Sequence, residues 1–183
     1  MHRDLVERAM AGDREAFTEL TRHSIGRLYA IARLILRDTE RAEDATQEAL
    51  VAAWKQLSAL RDPDRFDAWL RRLLVRACYR EAARDQHQRR IVAQIRPIEM
   101  GMPDPGVALA DRDQLERGFS RLSPEQRALV VLHYYLELPM HETAEILGLP
   151  IGTVKSRLFR TTQQLRAALE ADARLPLAER GQA

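Results

Sequence analysis

The chain has 183 residues and a formal net charge of +2, room for one ordinary domain or two small ones. Charged residues make up 31% and hydrophobic ones 45%, the balance of a soluble globular protein, and a charge so near zero leaves nucleic-acid binding to be decided by where the cations lie. The one cysteine, Cys78, excludes an internal disulfide. No Cys/His grouping has zinc-site spacing, and no run approaches the roughly 20 apolar residues of a membrane span. Met1 to Arg14 is charged and lacks the apolar core of a signal peptide, so a cytoplasmic protein is expected.

From about Asp4 to Arg90 the pattern is helical. Phe17, Leu20, Leu28, Ile31 and Ile35 recur at steps built from three and four. Asp38 and Thr39 suit the N-cap of a helix reaching about Leu57, with Glu40 and Glu43 at its positive end. On that helix Ala42, Ala45, Ala49, Ala53 and Leu57 form an inner side, while Asp44, Gln47, Glu48, Val51 and Lys55 form an outer stripe. By itself the outer stripe reads as a solvated face. Asp44 and Glu48 stand one turn apart without a histidine partner, so acid–base catalysis is not indicated.

A short loop spans Ser58 to Asp62, and Asp62-Pro63 marks the next helix start. That helix turns Phe66, Trp69, Leu70, Leu73 and Ala77 inward and then becomes basic. Seven arginines against Glu81 and Asp85 between Arg71 and Arg90 give a local charge of +5. Arg65, Arg72, Arg76 and Tyr79 share a side, which fits a nucleic-acid groove or an ordinary arginine-rich surface. Pro97, Gly101, Pro103, Pro105 and Gly106 then break the pattern and read as a linker, whose Ile91, Val92, Ile95, Ile98, Met100 and Met102 suggest that it lies against something.

Helical patterning resumes near Leu109. Ser123-Pro124-Glu125-Gln126 is a cap, a proline in the first turn and an acidic start. A short helix ends at Gly148, suited to the left-handed conformation of a tight turn. A second helix follows from about Gly152 to Leu165, with Ala144 small at the crossing and Leu149 and Val154 between the two. Val154, Leu158, Thr161 and Leu165 lie on its inner side. Ser156, Phe159, Arg160 and Gln163 lie outward, flanked by Lys155 and Arg157. Between Ile151 and Arg166 there are four basic residues and no acid. This is a helix-turn-helix whose second helix has the face a DNA reader needs: cations for phosphates, polar and apolar groups for base edges. The alternative is a basic solvated face on a structural helix.

Four segments, in order, resemble the extracytoplasmic-function group of bacterial sigma factors. Arg41-Ala42-Glu43-Asp44-Ala45-Thr46-Gln47-Glu48-Ala49 with Trp54, and Phe66-Asp67-Ala68-Trp69-Leu70-Arg71-Arg72, resemble region two. Leu122 to Arg127 and Gly152 to Arg160 resemble region four. The resemblance implies an all-α fold of two small helical domains joined by a flexible linker. Residues 1–90 would be region two, 91–108 the linker, 109–170 the helix-turn-helix region four, and 171–183 a tail. It implies that Asp44, Gln47, Glu48 and Val51 dock on the β′ clamp helices of core RNA polymerase, with the β subunit a further contact. Arg65, Arg72 and Arg76 would meet the minus-ten element, where a flipped base is held in a loop pocket. Lys155, Ser156, Arg157, Phe159 and Arg160 would read the minus-thirty-five element. The partners would be polymerase, promoter DNA and an anti-sigma factor, with no cofactor, metal, small-molecule substrate or chemistry of its own.

The sequence departs from the family pattern at Arg76, where Asn is usual, at Thr143, where Ile is usual, and at Thr162, where Arg is common. Met140 and His141 also replace a typical Tyr and an acidic residue. An operator-binding dimeric regulator and a sigma mimic that only sequesters an anti-sigma factor are the competing readings. The first lacks a visible dimer seam, and the second lacks an attached regulatory domain.

Overall fold

The helices that follow Asp13, Asp38 and Ser123 each begin where that side chain accepts from the free amides of the first turn. The computed structural model describes residues 2–95 and 116–173. Helix α1 spans His2–Met10 and α2 spans Arg14–Leu36. Asp13 caps α2 by accepting from the amides of Glu15 and Ala16, and Arg8 Nη2 grips its other oxygen at 2.6 Å. The Ala16 amide and the Arg8 guanidinium hold its carboxyl below the usual range. Arg37 ends α2 in the left-handed region, and Asp38 caps α3, Thr39–Gln56, through the Arg41 amide.

Two 3-10 turns, Leu57–Ala59 and Pro63–Arg65, lead into α4, Phe66–Ile95. Of the expected loop Ser58 to Asp62, Ser58 and Ala59 belong to the first turn and Leu60 to Asp62 are irregular, with Asp62 capping the second turn through the Asp64 amide. Helix α4 also runs through Ile91, Val92 and Ile95, the first residues of the expected linker. No glycine or proline stands between Phe66 and Pro97, so nothing there stops a helix. Residues 96–115, which hold the rest of that linker, and most of the expected tail lie outside the described residues.

Helices α2, α3 and α4 pack side by side through an alanine stripe. Ala42, Ala45, Ala49 and Ala53 are all fully buried, which lets α3 approach both neighbours closely. Thr46, on the same side, is satisfied by donating to the Ala42 carbonyl at 2.6 Å. Leu20, Ile31, Ile35, Leu57, Phe66 and Leu74 fill the remaining core, and α1 adds Leu5, Val6 and Ala9.

Residues 116–120 are helical and form the described part of α5. A Cβ at Gly118 would stand 2.7 Å from Leu165 Cδ1, so a larger residue there would make the Leu165 side chain shift. Helix α6, Pro124–Val130, opens with a capping box in which Ser123 and Gln126 satisfy each other's amides. It passes into a π turn, Val131–Tyr135, that the sequence reading did not anticipate. The Leu136 amide reaches back to the Val131 carbonyl at 3.0 Å, and this widened turn keeps Val131 and Leu132 buried while throwing Tyr134 and Tyr135 outward.

Helix α7, Met140–Leu147, ends at Gly148 with φ +67°, and α8 runs Ile151–Ala173. Helix α8 thus continues past Leu165, the end expected from the pattern. Leu129, Ala144, Val154 and Leu158 make the small core between α6, α7 and α8. A second apolar face of this unit, Ala128, Val131, Leu132 and Ile146, is buried in the same core as α2 and α4. The two helical units therefore share an interface.

Candidate nucleic-acid interface

The alanine stripe that faces α2 and α4 turns the opposite side of α3 to solvent. Asp44, Gln47 and Lys55 are exposed there, and Val51 is 52% exposed. Glu48 departs from this stripe. It is half-buried and faces α4, where its Oε1 accepts from Arg80 Nε at 2.8 Å and Arg84 Nη1 lies 3.6 Å from Oε2. Glu48 therefore ties α3 to α4, and the free stripe is Asp44, Gln47 and Val51.

Beside Val51 runs an open apolar groove lined by Phe17, Ile25, Leu50, Val51 and Trp54. Trp54 rests on Phe17 with ring centroids 4.9 Å apart and remains partly exposed. Sequence reasoning used Trp54 only as a motif residue. The signal for the groove was Ile25 and Trp54, large apolar residues that fall off the inner faces of their helices.

Arg65, at the end of the 3-10 turn, and Arg72, in the second turn of α4, are brought together, as expected of residues on one face. They meet a carboxylate. Arg65 pairs with Glu145 of α7, and Arg72 Nη2 donates to the Glu145 carbonyl at 2.8 Å and lies 3.4 Å from its Oε1. Arg76, one turn on, is exposed. Tyr79 is half-buried in a cleft of about 510 Å³ whose opposite wall includes Glu125, Arg157, Arg160 and Thr161. Burial, and then the charge of Glu125, push its phenol pKa up. Just inside it, burial pushes the Cys78 thiol up to about 12.

On α8 the inner residues Val154, Leu158 and Thr161 are buried and Leu165 is half-buried. Lys155, Ser156, Arg157, Phe159 and Arg160 are all exposed, Phe159 at 65%. The first turn of α8 carries no acid, and Gly148 sets the turn that aims this helix away from α7. Arg157 and Arg160 also reach the cleft beside Tyr79, whereas Lys155, Ser156 and Phe159 do not line it. Thr162 folds back on its own helix, its hydroxyl donating to the Leu158 and Phe159 carbonyls. Thr143 of α7 is fully buried with its hydroxyl unbonded.

Among the described residues no group of three or more His, Cys, Asp or Glu could hold a metal ion, and no helix is long and apolar enough to cross a membrane. What the arrangement offers is surface: an acidic–apolar stripe on α3, arginines on α4 and a basic aromatic face on α8.

Comparison with known proteins agrees with both ends of the molecule. Residues 20–89 match the family model for sigma-70 region 2, and residues 112–165 match that for sigma-70 region 4. The chain is 33% identical over 167 residues to the ECF RNA polymerase sigma factor SigM of Mycobacterium tuberculosis, covering 91% of this chain and 83% of that one. Among solved structures, CnrH bound to the cytosolic domain of CnrY matches with a TM-score of 0.66 at 28% identity, over 93% of this chain and 98% of CnrH. The sigma factor RpoE of Bartonella quintana, solved with the anti-sigma factor NepR, also gives 0.66, at 25% identity over 85% and 98%. With two all-helical units, a helix-turn-helix at the second and sigma-70 regions matched in order, this chain belongs to the extracytoplasmic-function sigma factors, which direct promoter-specific transcription by RNA polymerase.

Proposed function

We propose that residues 1–90 dock on core polymerase and help open the promoter at the minus-ten element, while residues 109–170 grip the minus-thirty-five element. Asp44, Gln47 and Val51 meet the β′ clamp helices. Arg65, Arg72 and Arg76 hold the melted strand, and Lys155, Ser156, Arg157, Phe159 and Arg160 enter the major groove. The protein carries out no chemistry of its own and works in the cytoplasm beside polymerase. An anti-sigma factor is a fitting regulator, since CnrH and RpoE were each solved with such a partner or a cytosolic domain.

The observation that carries this reading is the outward face of α8. An aromatic ring two-thirds exposed, set among cations on the stretch of α8 from Ile151 to Arg166 that holds no acid, gains nothing from water and is suited to base edges and phosphates. Tethering two DNA contacts in one chain also lets each be weak alone.

Run-off transcription with core polymerase tests it, using a library of bacterial promoter fragments. Transcripts that depend on this chain and start a fixed distance from a shared two-part element support the reading. Transcripts that survive loss of the α8 face through Phe159→Ala with Arg160→Ala would remove the upstream assignment. Permanganate footprinting that finds no unpaired thymines near the start would remove the opening role.

A further inference from the structure

Of the 29 basic side chains in this sequence, 27 are arginine and two, Lys55 and Lys155, are lysine. The distinction is chemical. A guanidinium stays charged, whereas a lysine amine that has released its proton is a nucleophile and a target of acylation. Both lysines are exposed, and neither forms a hydrogen bond or ion pair among the described residues. Each stands on a face assigned to a partner. Lys55 lies on the outer side of α3 beside the docking stripe, and Lys155 lies on the outward face of α8. Lysine modification of this chain therefore falls on its two working faces.

The two faces differ in the field that an incoming reagent meets. Helix α3 carries four acids, Glu40, Glu43, Asp44 and Glu48, against two cations, Arg41 and Lys55. Between Ile151 and Arg166, α8 carries four cations and no acid. Lys155 also does not line the cleft that holds Glu125. An anionic acyl donor is drawn to the α8 face and turned away from α3.

An amide at Lys155 removes one of the four charges of the α8 face and two of the three N–H donors of the ammonium. No other cation on this face can be neutralised in that way, because the remaining three are arginines.

We propose that Lys155 is an acylation site, and that its modification by an acyl phosphate releases the upstream DNA element. The ammonium first gives a proton to water. The Nζ lone pair attacks the acyl carbon and the carbon–nitrogen bond forms. The carbon–oxygen bond to phosphate then breaks, and its electron pair leaves on phosphate. The products are a neutral amide and inorganic phosphate, with nothing oxidised or reduced. This rests on the reading that Lys155 meets the minus-thirty-five element.

The test treats the full chain with acetyl phosphate or with a neutral donor, the N-hydroxysuccinimide ester of acetic acid, and follows each lysine by mass spectrometry. With acetyl phosphate at low salt, Lys155 should react at least about three-fold faster than Lys55, and the preference should vanish at about 1 M salt. The neutral ester should show no such preference. For DNA binding, Lys55→Arg leaves Lys155 as the one lysine, and Lys155→Arg leaves Lys55. Each variant is treated, combined with core polymerase and titrated with a promoter fragment recovered by run-off transcription. Acetylated Lys55→Arg should bind about three- to ten-fold more weakly than the untreated variant, with a salt slope smaller by about one. Treatment should leave the affinity of Lys155→Arg where it began. Equal reaction of both lysines with acetyl phosphate, or the same preference with the neutral ester, overturns the directed acylation and leaves the DNA reading standing. Full promoter affinity in acetylated Lys55→Arg overturns the switch and removes the DNA role of Lys155. An equal loss in treated Lys155→Arg overturns it too, because the amino terminus or Lys55 then carries the effect.

Discussion

Arg72 of α4 donates from Nη2 to the main-chain carbonyl of Glu145 on α7 at 2.8 Å, joining residues 73 positions apart. A main-chain acceptor matters here, because no substitution at position 145 removes it. Replacing Glu145 therefore weakens the contact by the carboxylate alone and leaves the apolar packing of Ile146 in place. The same geometry shows that cations on one helix face need not be free. Their availability depends on what the rest of the chain lays against them.

The α3 stripe yields a separable pair of outcomes. Asp44→Arg should reduce co-elution with core polymerase at least about ten-fold and leave the urea midpoint unchanged, since Asp44 is exposed. Glu48→Gln should do the reverse, lowering stability by about 0.5–1 kcal/mol through loss of the Arg80 and Arg84 contacts while polymerase still binds. Loss of co-elution in Glu48→Gln with normal stability would return Glu48 to the docking surface.

On α8, Arg160→Ala should weaken binding to an upstream-element duplex by about 1–3 kcal/mol if Arg160 contacts a base, and relax selectivity at one position. Lys155→Ala should weaken binding evenly across sequences and lower the salt dependence instead. Both side chains are exposed, so thermal melts should match wild type. Titrations against promoter variants at two salt concentrations separate the two behaviours.

The helix-turn-helix has one strained and one unsatisfied position. Gly148 has φ +67° with open space around it, so Gly148→Ala should cost about 1 kcal/mol from backbone strain alone. Thr143 is fully buried with an orphaned hydroxyl, so Thr143→Val, of nearly equal shape, should stabilise by about 1 kcal/mol. Urea denaturation of both variants checks the signs. A destabilised Thr143→Val would mean that the hydroxyl finds a partner in solution.

Cys78 sets a pH dependence. Its thiol rises from 9.0 to about 12 when buried, so the folded chain keeps a proton that the unfolded chain loses. Its contribution is complete below about pH 8.5 and is lost as pH rises toward 12, at up to about 1.4 kcal/mol per unit. Tyr79 adds in the same direction at higher pH. Cys78→Ala should lower stability at pH 7.5 by leaving a small void, yet show a shallower decline between about pH 9 and 11. Parallel declines would show that the thiol does not carry the slope.

Much of this molecule is written locally in its sequence. The caps at Asp38 and Ser123, the alanine stripe of α3, the turn at Gly148 and the two faces of α8 follow from side chains within one or two turns of each other, so helical periodicity suffices to find them. The order of the motifs likewise identifies the family. Tertiary structure alone decided which charges stay free. Glu48 turns from the expected docking stripe to Arg80, 32 residues away, and Arg65 finds Glu145 across 80 residues. The widened turn at Val131–Tyr135 belongs with these, since Val131 and Leu132 are buried against the other unit. Periodicity places a side chain on a face of its own helix. What stands opposite that face depends on how distant segments pack, and lengthening the chain between two contacts by a factor of two costs only about 0.6 kcal/mol, so sequence separation says little about the partner.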